Sequence, residues 1–295
     1  MIRITSAMVR RALPRRHLEA QKWDFGHCLI VAGSRNMLGA ALLAAKAALR
    51  GGADLVTLAL PKSLQPLVYA QILEALTLPL EETQEGSIDF RGLCEIGDYI
   101  KNRHVTALVL GPGLSRHEST AELVRALVRQ APLPTVLDAD ALVRGLDFGR
   151  PGFRCLTPHE RELSCFLGVT LEEVRAKGSA LAQALVKEHP NLAVVLKGHH
   201  SRIFMGESLW VNPTGNPGMA KGGSGDVLSG LLGSLLAQRA AREATPADLM
   251  DAVLAAVYLH GLAGDMAAKE MSSYAMTPQD MIQFLPRAIK SAGAR

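Results

Sequence analysis

Five short, apolar, β-prone runs punctuate this chain, at residues 28–32, 55–60, 107–110, 135–137 and 193–196. Each is nearly continuous rather than alternating, as strands buried on both faces are. Helix-like stretches lie between or after them, clearest at 40–50, 120–130, 171–188, 227–239 and 247–270. Strand and helix alternate, which predicts an α/β fold with a mostly parallel central sheet and helices on both faces. Ligands of such sheets bind beyond the carboxyl ends of the strands. Chemistry is therefore expected in the segments that follow, at 33–40, 111–115, 138–140, 157–162, 197–201 and 212–230, whose residues are hard to explain as turns alone.

The 295 residues are 48% hydrophobic and 20% charged, which excludes a disordered or fibrous protein. With 27 glycines and only 4% aromatics, the core is expected to consist of Ala, Leu, Val and Ile over closely approaching backbones. Length alone permits one large domain or two medium ones. No linker or internal repeat interrupts the pattern, so residues 1–295 are read as one domain, with 1–22 as a lead-in segment. Lys and Arg exceed Asp and Glu by 32 to 28, a surplus that Arg3, Arg10, Arg11, Arg15 and Arg16 alone could supply. No long run of like charge follows, so nucleic acid is not the expected partner. Cys28, Cys94, Cys155 and Cys165 lack metal or redox spacing and are expected to be reduced and buried. No signal-peptide pattern and no stretch of about 18 apolar residues is evident, which predicts a soluble, cytoplasmic protein without a membrane span.

The strongest chemical signal is Gly215-Asn-Pro-Gly-Met-Ala-Lys-Gly-Gly-Ser-Gly-Asp226, followed at once by an apolar helix. Glycines let backbone amides approach a phosphate, and a helix start adds unpaired N–H groups and the positive end of its dipole. Gly222, Gly223, Ser224 and Gly225 thus read as an anion hole. Asp226 sits at its edge, where a carboxylate would repel phosphate unless it had a task. A bare Ser-Gly-Asp could equally be an N-cap, but five glycines in the preceding eleven residues favour the anion site. Neither a P-loop nor a dinucleotide-binding fingerprint occurs.

The late glycine turn and its helix resemble those of the ribokinase-like superfamily. Within it, several ordered segments are similar to the NAD(P)H-hydrate dehydratase family: Lys22-Trp-Asp-Phe-Gly26, Leu137-Asp-Ala-Asp-Ala-Leu142, Thr157-Pro-His159 with Glu162, the glycine turn itself, and His260-Gly-Leu-Ala-Gly-Asp265. The resemblance runs from about residue 22 to 286. It implies repair of the S form of hydrated NADH or NADPH: ADP phosphorylates the 6-hydroxyl, phosphate is eliminated, and AMP and phosphate are released. The form of the glycine segment implies ADP rather than ATP. Lys221 stands where the family has Thr, Met37 where an aromatic is common, and Ser115 where Gly is common. Lys221 is expected to add positive charge to a phosphate loop, and Ser115 a side chain where backbone approaches substrate.

By that resemblance Asp226 is the base and also contacts substrate, with Ala40, Gly113 and His159 against the hydrated cofactor. Lys197, Gly198, His199, His200, Ser201 and Gly225 fall on the nucleotide side. Glu162 is expected to hold Mg²⁺ through water, and at least one of Asp138 and Asp140 to face the site. His159 could instead be a satisfied loop histidine, and Glu162 a solvated residue at a helix start. His199 and His200 are not read as a metal pair, because neighbours in a strand point to opposite faces. His260 and Asp265 are expected to support the fold. The resemblance also implies self-association and a separate epimerase as functional partner. Two further readings stay open: a ribokinase-like kinase of a vitamin precursor, and a nucleotide sensor without turnover.

Overall fold

The computed structural model describes residues 1–148 and 152–293; positions 149–151 and 294–295, part of the expected domain, lie outside the described residues. The strands are β1 (Ile2–Arg3), β2 (His27–Val31), β3 (Leu55–Pro61), β4 (Leu76–Leu80), β5 (Ala107–Leu110), β6 (Thr135–Leu137), β7 (Arg154–Leu156), β8 (Leu192–Leu196), β9 (Arg202–Met205) and β10 (Ser208–Val211). The helices are α1 (Ser6–Ala12), α2 (Leu38–Gly51), α3 (Gln65–Tyr69), α4 (Leu93–Asn102), α5 (Glu118–Gln130), α6 (Glu160–Leu167), α7 (Leu171–Glu188), α8 (Ser224–Ala240), α9 (Pro246–Ala275) and α10 (Pro278–Ser291). The strands form one sheet in the order β1-β10-β9-β8-β7-β6-β5-β2-β3-β4. From β8 to β4 every pairing is parallel; β9 is antiparallel to both neighbours, and β1 joins β10 in parallel.

The five apolar runs are β2, β3, β5, β6 and β8, and successive residues in them feed opposite faces. Cys28, Ile30 and Val109 pack with α2, α8 and α9 on one side, while Leu29, Val31 and Leu108 pack with α5 and α7 on the other. The sheet is thus covered on both faces, as the continuous runs predict. Other strands hide in the sequence for physical reasons. β4 carries Pro79 and is tolerated because it is an edge strand. β7 begins at Arg154, 2% exposed, whose guanidinium donates to the carbonyls of Val128, Ala131, Leu133 and Phe153 around the end of α5. Burial pulls its pKa down to about 10.

The residues expected to be a lead-in segment join this architecture: β1 extends the sheet, and Ile4, Val9 and Ala12 are buried. The cysteines are corrected in part. Cys28 and Cys155 are buried, and burial pushes the Cys28 thiol up to about 12. Cys94 and Cys165 are exposed, because the helical period turns Ile96 and Leu163, not these thiols, toward the core. The expectation about apolar length is corrected too. By length and hydropathy α9 could cross a membrane, yet 67% of its apolar window is buried in this fold, as in a core helix.

α8 is apolar on all sides and runs through the core between α2 and strands β2 and β5. Its glycines make that passage possible. A Cβ at Gly230 would lie 1.9 Å from the Ala44 carbonyl oxygen, and one at Gly233 would lie 2.3 Å from Val109 Cγ2. Here the abundance of glycine is a packing requirement. At the amino end of the same helix it has another use.

Candidate active site

Strand order reverses at the β2/β5 boundary: β3 and β4 follow on one side, β6, β7 and β8 on the other. Such a switch point opens a crevice at the carboxyl ends of the strands. The loops after β2 and β5 meet there, with the Gly33 amide donating to the Pro112 carbonyl at 2.8 Å. Ala40, on the first turn of α2, faces Gly113: a Cβ on Gly113 would sit 3.1 Å from that of Ala40 and 2.6 Å from the Met37 carbonyl oxygen. Two of the four expected substrate-side residues therefore line one narrow gap. Ser115, at φ 72°, turns its hydroxyl to Ser87 at 2.5 Å, and its amide donates to Asp140 at 3.0 Å.

Asp138, at the end of β6, is buried in a socket of donors. Its Oδ1 accepts from Lys197 Nζ and Thr157 Oγ1, each at 2.7 Å, and Oδ2 accepts from Ser229 Oγ at 2.7 Å. Burial alone would raise this carboxyl, but the Lys197 charge and the three hydrogen bonds hold it below its ordinary value. Lys197 continues to Glu162, 3.4 Å away, and the two carboxylates hold its ammonium charged against the burial that would lower it. Thr157 and Ser229 were not among the residues expected from sequence. Their one local signal is polarity: Ser229 is a hydroxyl in an apolar helix, one turn after Gly225.

Glu162 and His159 form the capping box of α6. His159 is the N-cap, its Nδ1 accepting from the Arg161 and Glu162 amides at 3.1 and 3.2 Å, while its own amide donates to Glu162 Oε2 at 2.8 Å. The loop reading of His159 and the helix-start reading of Glu162 thus describe their local geometry. Both still border the cluster, because Glu162 reaches Lys197.

The glycine turn closes the cluster from above. α8 starts at Ser224, and its N-cap is Gly223 at φ 98°, with no side chain capping the helix. The N-cap alternative for Ser224 or Asp226 is therefore corrected: both lie inside the first turn, and the amides there meet no capping side chain. Gly222 is exposed, and a Cβ on it would meet nothing within 4 Å. Gly225 lies against the socket, where a Cβ would be 3.4 Å from Lys197 Nζ and 3.6 Å from Asp138 Oδ2. Asp226 is partly buried and accepts no side-chain hydrogen bond among the described residues. Burial first, then the charges of Asp138, Asp140 and Glu162, push its carboxyl up to about 6 against the pull of Lys197.

α9 holds the turn in place. Asp265 accepts from the Gly215 amide at 2.9 Å and from Asn216 Nδ2 at 3.1 Å, and His260 Nε2 donates to the Ser224 carbonyl at 2.9 Å. Burial lowers the His260 pKa to about 4, so this donor is neutral imidazole. Both residues support the turn, as expected. Lys221 differs from expectation: its ammonium donates to the Tyr274 and Met276 carbonyls at 2.7 and 2.6 Å, tying the turn to the end of α9. Helix-end carbonyls, with no nearer donor, draw the cation away from the loop.

Residues 197–201 make the turn between β8 and β9, closed by Ser201 Oγ donating to the Gly198 carbonyl at 3.2 Å. His199 and His200 are not in a strand as expected; their rings pack with centroids 3.9 Å apart because His200 adopts φ 53°. The assembled site offers helix-start amides for an anion, a carboxyl raised to about 6, and a fixed cation between two acids. That is equipment for moving a phosphoryl group and a proton.

A family model described as NAD(P)H-hydrate dehydratase matches residues 28–287. A bifunctional NAD(P)H-hydrate repair enzyme of Moorella thermoacetica is 37% identical over 98% of this chain and 54% of that protein, so the chain spans about half the length of such relatives. An ADP-dependent (S)-NAD(P)H-hydrate dehydratase of Bacillus subtilis is 32% identical over 97% of each chain. The crystal structure of an ADP/ATP-dependent NAD(P)H-hydrate dehydratase from Bacillus subtilis, co-crystallised with ATP and Mg²⁺, has a TM-score of 0.83 at 31% identity, covering 99% of this chain and 98% of that one. A ribokinase-like superfamily protein of Enterococcus faecalis has a TM-score of 0.82 at 23% identity, covering 100% and 97%, and identifies the fold as ribokinase-like. The chain belongs to the NAD(P)H-hydrate dehydratase family.

Proposed function

We propose that the chain catalyses ADP-dependent dehydration of the S form of hydrated NADH or NADPH, giving the reduced cofactor, AMP and phosphate. The observation that carries this reading is Asp226, a carboxyl raised to about 6 in the uncapped first turn of α8. Pure nucleotide binding gains nothing from a carboxylate there; a base for a hydroxyl proton does.

The 6-hydroxyl oxygen attacks the terminal phosphorus of ADP. A new P–O bond forms, the bond to the bridging oxygen breaks, AMP leaves, and Asp226 receives the hydroxyl proton. The lone pair of the ring nitrogen then expels phosphate from C6, and loss of a proton from C5 restores the double bond. Hydroxide is a poor leaving group and phosphate a good one, so cleavage of the nucleotide drives the dehydration. Amides of residues 222–225 stabilise charge on the transferring phosphoryl group. Gly225 and the 197–201 turn take the nucleotide side, with Lys197 as its fixed cation; Ala40, Gly113 and His159 take the hydrated ring.

Mg²⁺ would neutralise charge on the phosphates when bound. Among the described residues no three His, Cys, Asp or Glu side chains gather as a cage, and Asp138 is already engaged by three donors. The donor set therefore fits a metal carried in by the nucleotide, with Glu162 holding it through water, as Mg²⁺ prefers. A reduced nicotinamide cofactor as substrate supports a cytoplasmic location. The bifunctional relatives support an epimerase as functional partner, and self-association belongs to the same reading. Incubation with the S hydrate of NADH, ADP and Mg²⁺ is expected to restore the absorbance of NADH. No recovery, or a stable phosphorylated product, would overturn the proposal; the second outcome would favour a kinase.

A further inference from the structure

A cleft of about 820 Å³ lies away from this site. Arg10, Arg11 and Arg15 from the first 22 residues meet Arg239 at the end of α8 and Arg242 just after it. Ala237, near that end of α8, accepts from Thr106 at the start of β5, so the cleft opens at the amino ends of the strands. The stretch of α8 from Asp226 to Arg239 puts roughly 20 Å between the cleft and Asp226.

Three of the five guanidinium groups are held by backbone carbonyls rather than by carboxylates. Arg239 Nη2 donates to the Arg11 carbonyl at 3.2 Å, Arg242 Nη2 to the Arg15 carbonyl at 3.5 Å, and Arg10 Nε to the Ala292 carbonyl at 3.5 Å. Arg242 also lies over the Phe25 ring, 5.1 Å from its centroid. Among the described residues no carboxylate comes within 4.0 Å of any of the five. At longer range Asp248 on α9 feels Arg239, and Asp251 feels both Arg239 and Arg11. The Nε of Arg239 is buried without a hydrogen-bond partner, a donor awaiting an acceptor. Five like charges converging on one concavity repel one another unless an anion enters, and guanidinium forks match phosphate oxygens in pairs. The volume suits a small molecule, and the charges converge on a cleft rather than forming a stripe along which a nucleic acid would lie.

We propose that this arginine cleft is a second binding site, distinct from the catalytic crevice, for a small molecule carrying two or more phosphate groups. The test uses inorganic triphosphate, titrated calorimetrically into the wild-type chain and into the double variant Arg11→Gln/Arg242→Gln. Both side chains are exposed, so the fold is expected to survive, and the thermal unfolding curve checks it. Triphosphate affinity is expected to fall at least tenfold, with the KM for ADP in turnover, which reports the catalytic crevice, unchanged. Arg11→Lys/Arg242→Lys, which keeps charge but loses the fork, is expected to fall between the two. Unchanged triphosphate affinity in the glutamine variant overturns the proposal, because binding then resides at the catalytic crevice. Equal displacement by sulfate at matched ionic strength overturns it as mere charge screening. Tighter binding of a short DNA duplex, lost in the same variant, overturns it in favour of nucleic acid.

Discussion

The two carboxylates at the heart of the site, Asp138 at the end of β6 and Asp226 in the first turn of α8, are held in opposite states by their surroundings. Asp138 is buried yet stays ionised, because Lys197, Thr157 and Ser229 all donate to it. Asp226 has no such donors among the described residues, and burial first, then the field of Asp138, Asp140 and Glu162, raises its carboxyl to about 6. Burial acts on both; the Lys197 charge first, and then the hydrogen bonds, hold Asp138 down. Neighbouring acids pushed apart in this way divide the labour of an acid–base site: one is a fixed charge, the other exchanges a proton.

The comparison breaks most visibly if Asp226 loses its charge. Asp226→Asn is expected to lower turnover on the S hydrate by about 10²–10⁴-fold with ADP affinity retained, measured by steady-state kinetics and calorimetry. Removing the fixed charge acts instead on the fold. Asp138→Asn leaves Lys197 buried with Glu162 alone, and a loss of about 3–5 kcal/mol is expected in denaturant unfolding. Asp226→Asn should do the reverse. A carboxyl whose folded pKa lies above its unfolded value binds more protons when folded, so it destabilises the fold increasingly as pH rises from about 4 to 6. Its neutral isostere is expected to gain on the order of 1–3 kcal/mol at pH 7, and less at pH 4. The smallest effect belongs to Ser229→Ala, which takes one of three donors from Asp138: about 1 kcal/mol by unfolding, and less than a tenfold change in turnover.

Asp226 stood out in the sequence because it lies in a run of glycines whose common use besides packing is to bare amides, and its role as base is what the family resemblance implies. The parallel core was legible because strands buried on both faces need continuous apolar runs. The socket of Asp138 was not. Its donors lie 19, 59 and 91 positions away, and no local pattern links them. The same distance hid the role of Lys221, read as a phosphate-loop cation but bound to carbonyls 53 and 55 positions on. β7 was obscured by a buried arginine, and β4 by an edge proline. Glycine itself has two settings here: at Gly230 and Gly233 inside α8 nothing larger fits, whereas Gly222 in the turn before the helix has open space around it.

The central claim, that Asp226 is a base poised by its difference from Asp138, is tested most directly by the pH dependence of kcat/KM for the wild-type chain with the S hydrate of NADH and saturating ADP. An acid limb with a midpoint near pH 6, falling tenfold per unit below it, is the result predicted. A limb near pH 4, the ordinary carboxylate range, or a rate flat from pH 7 down to 5, would contradict it.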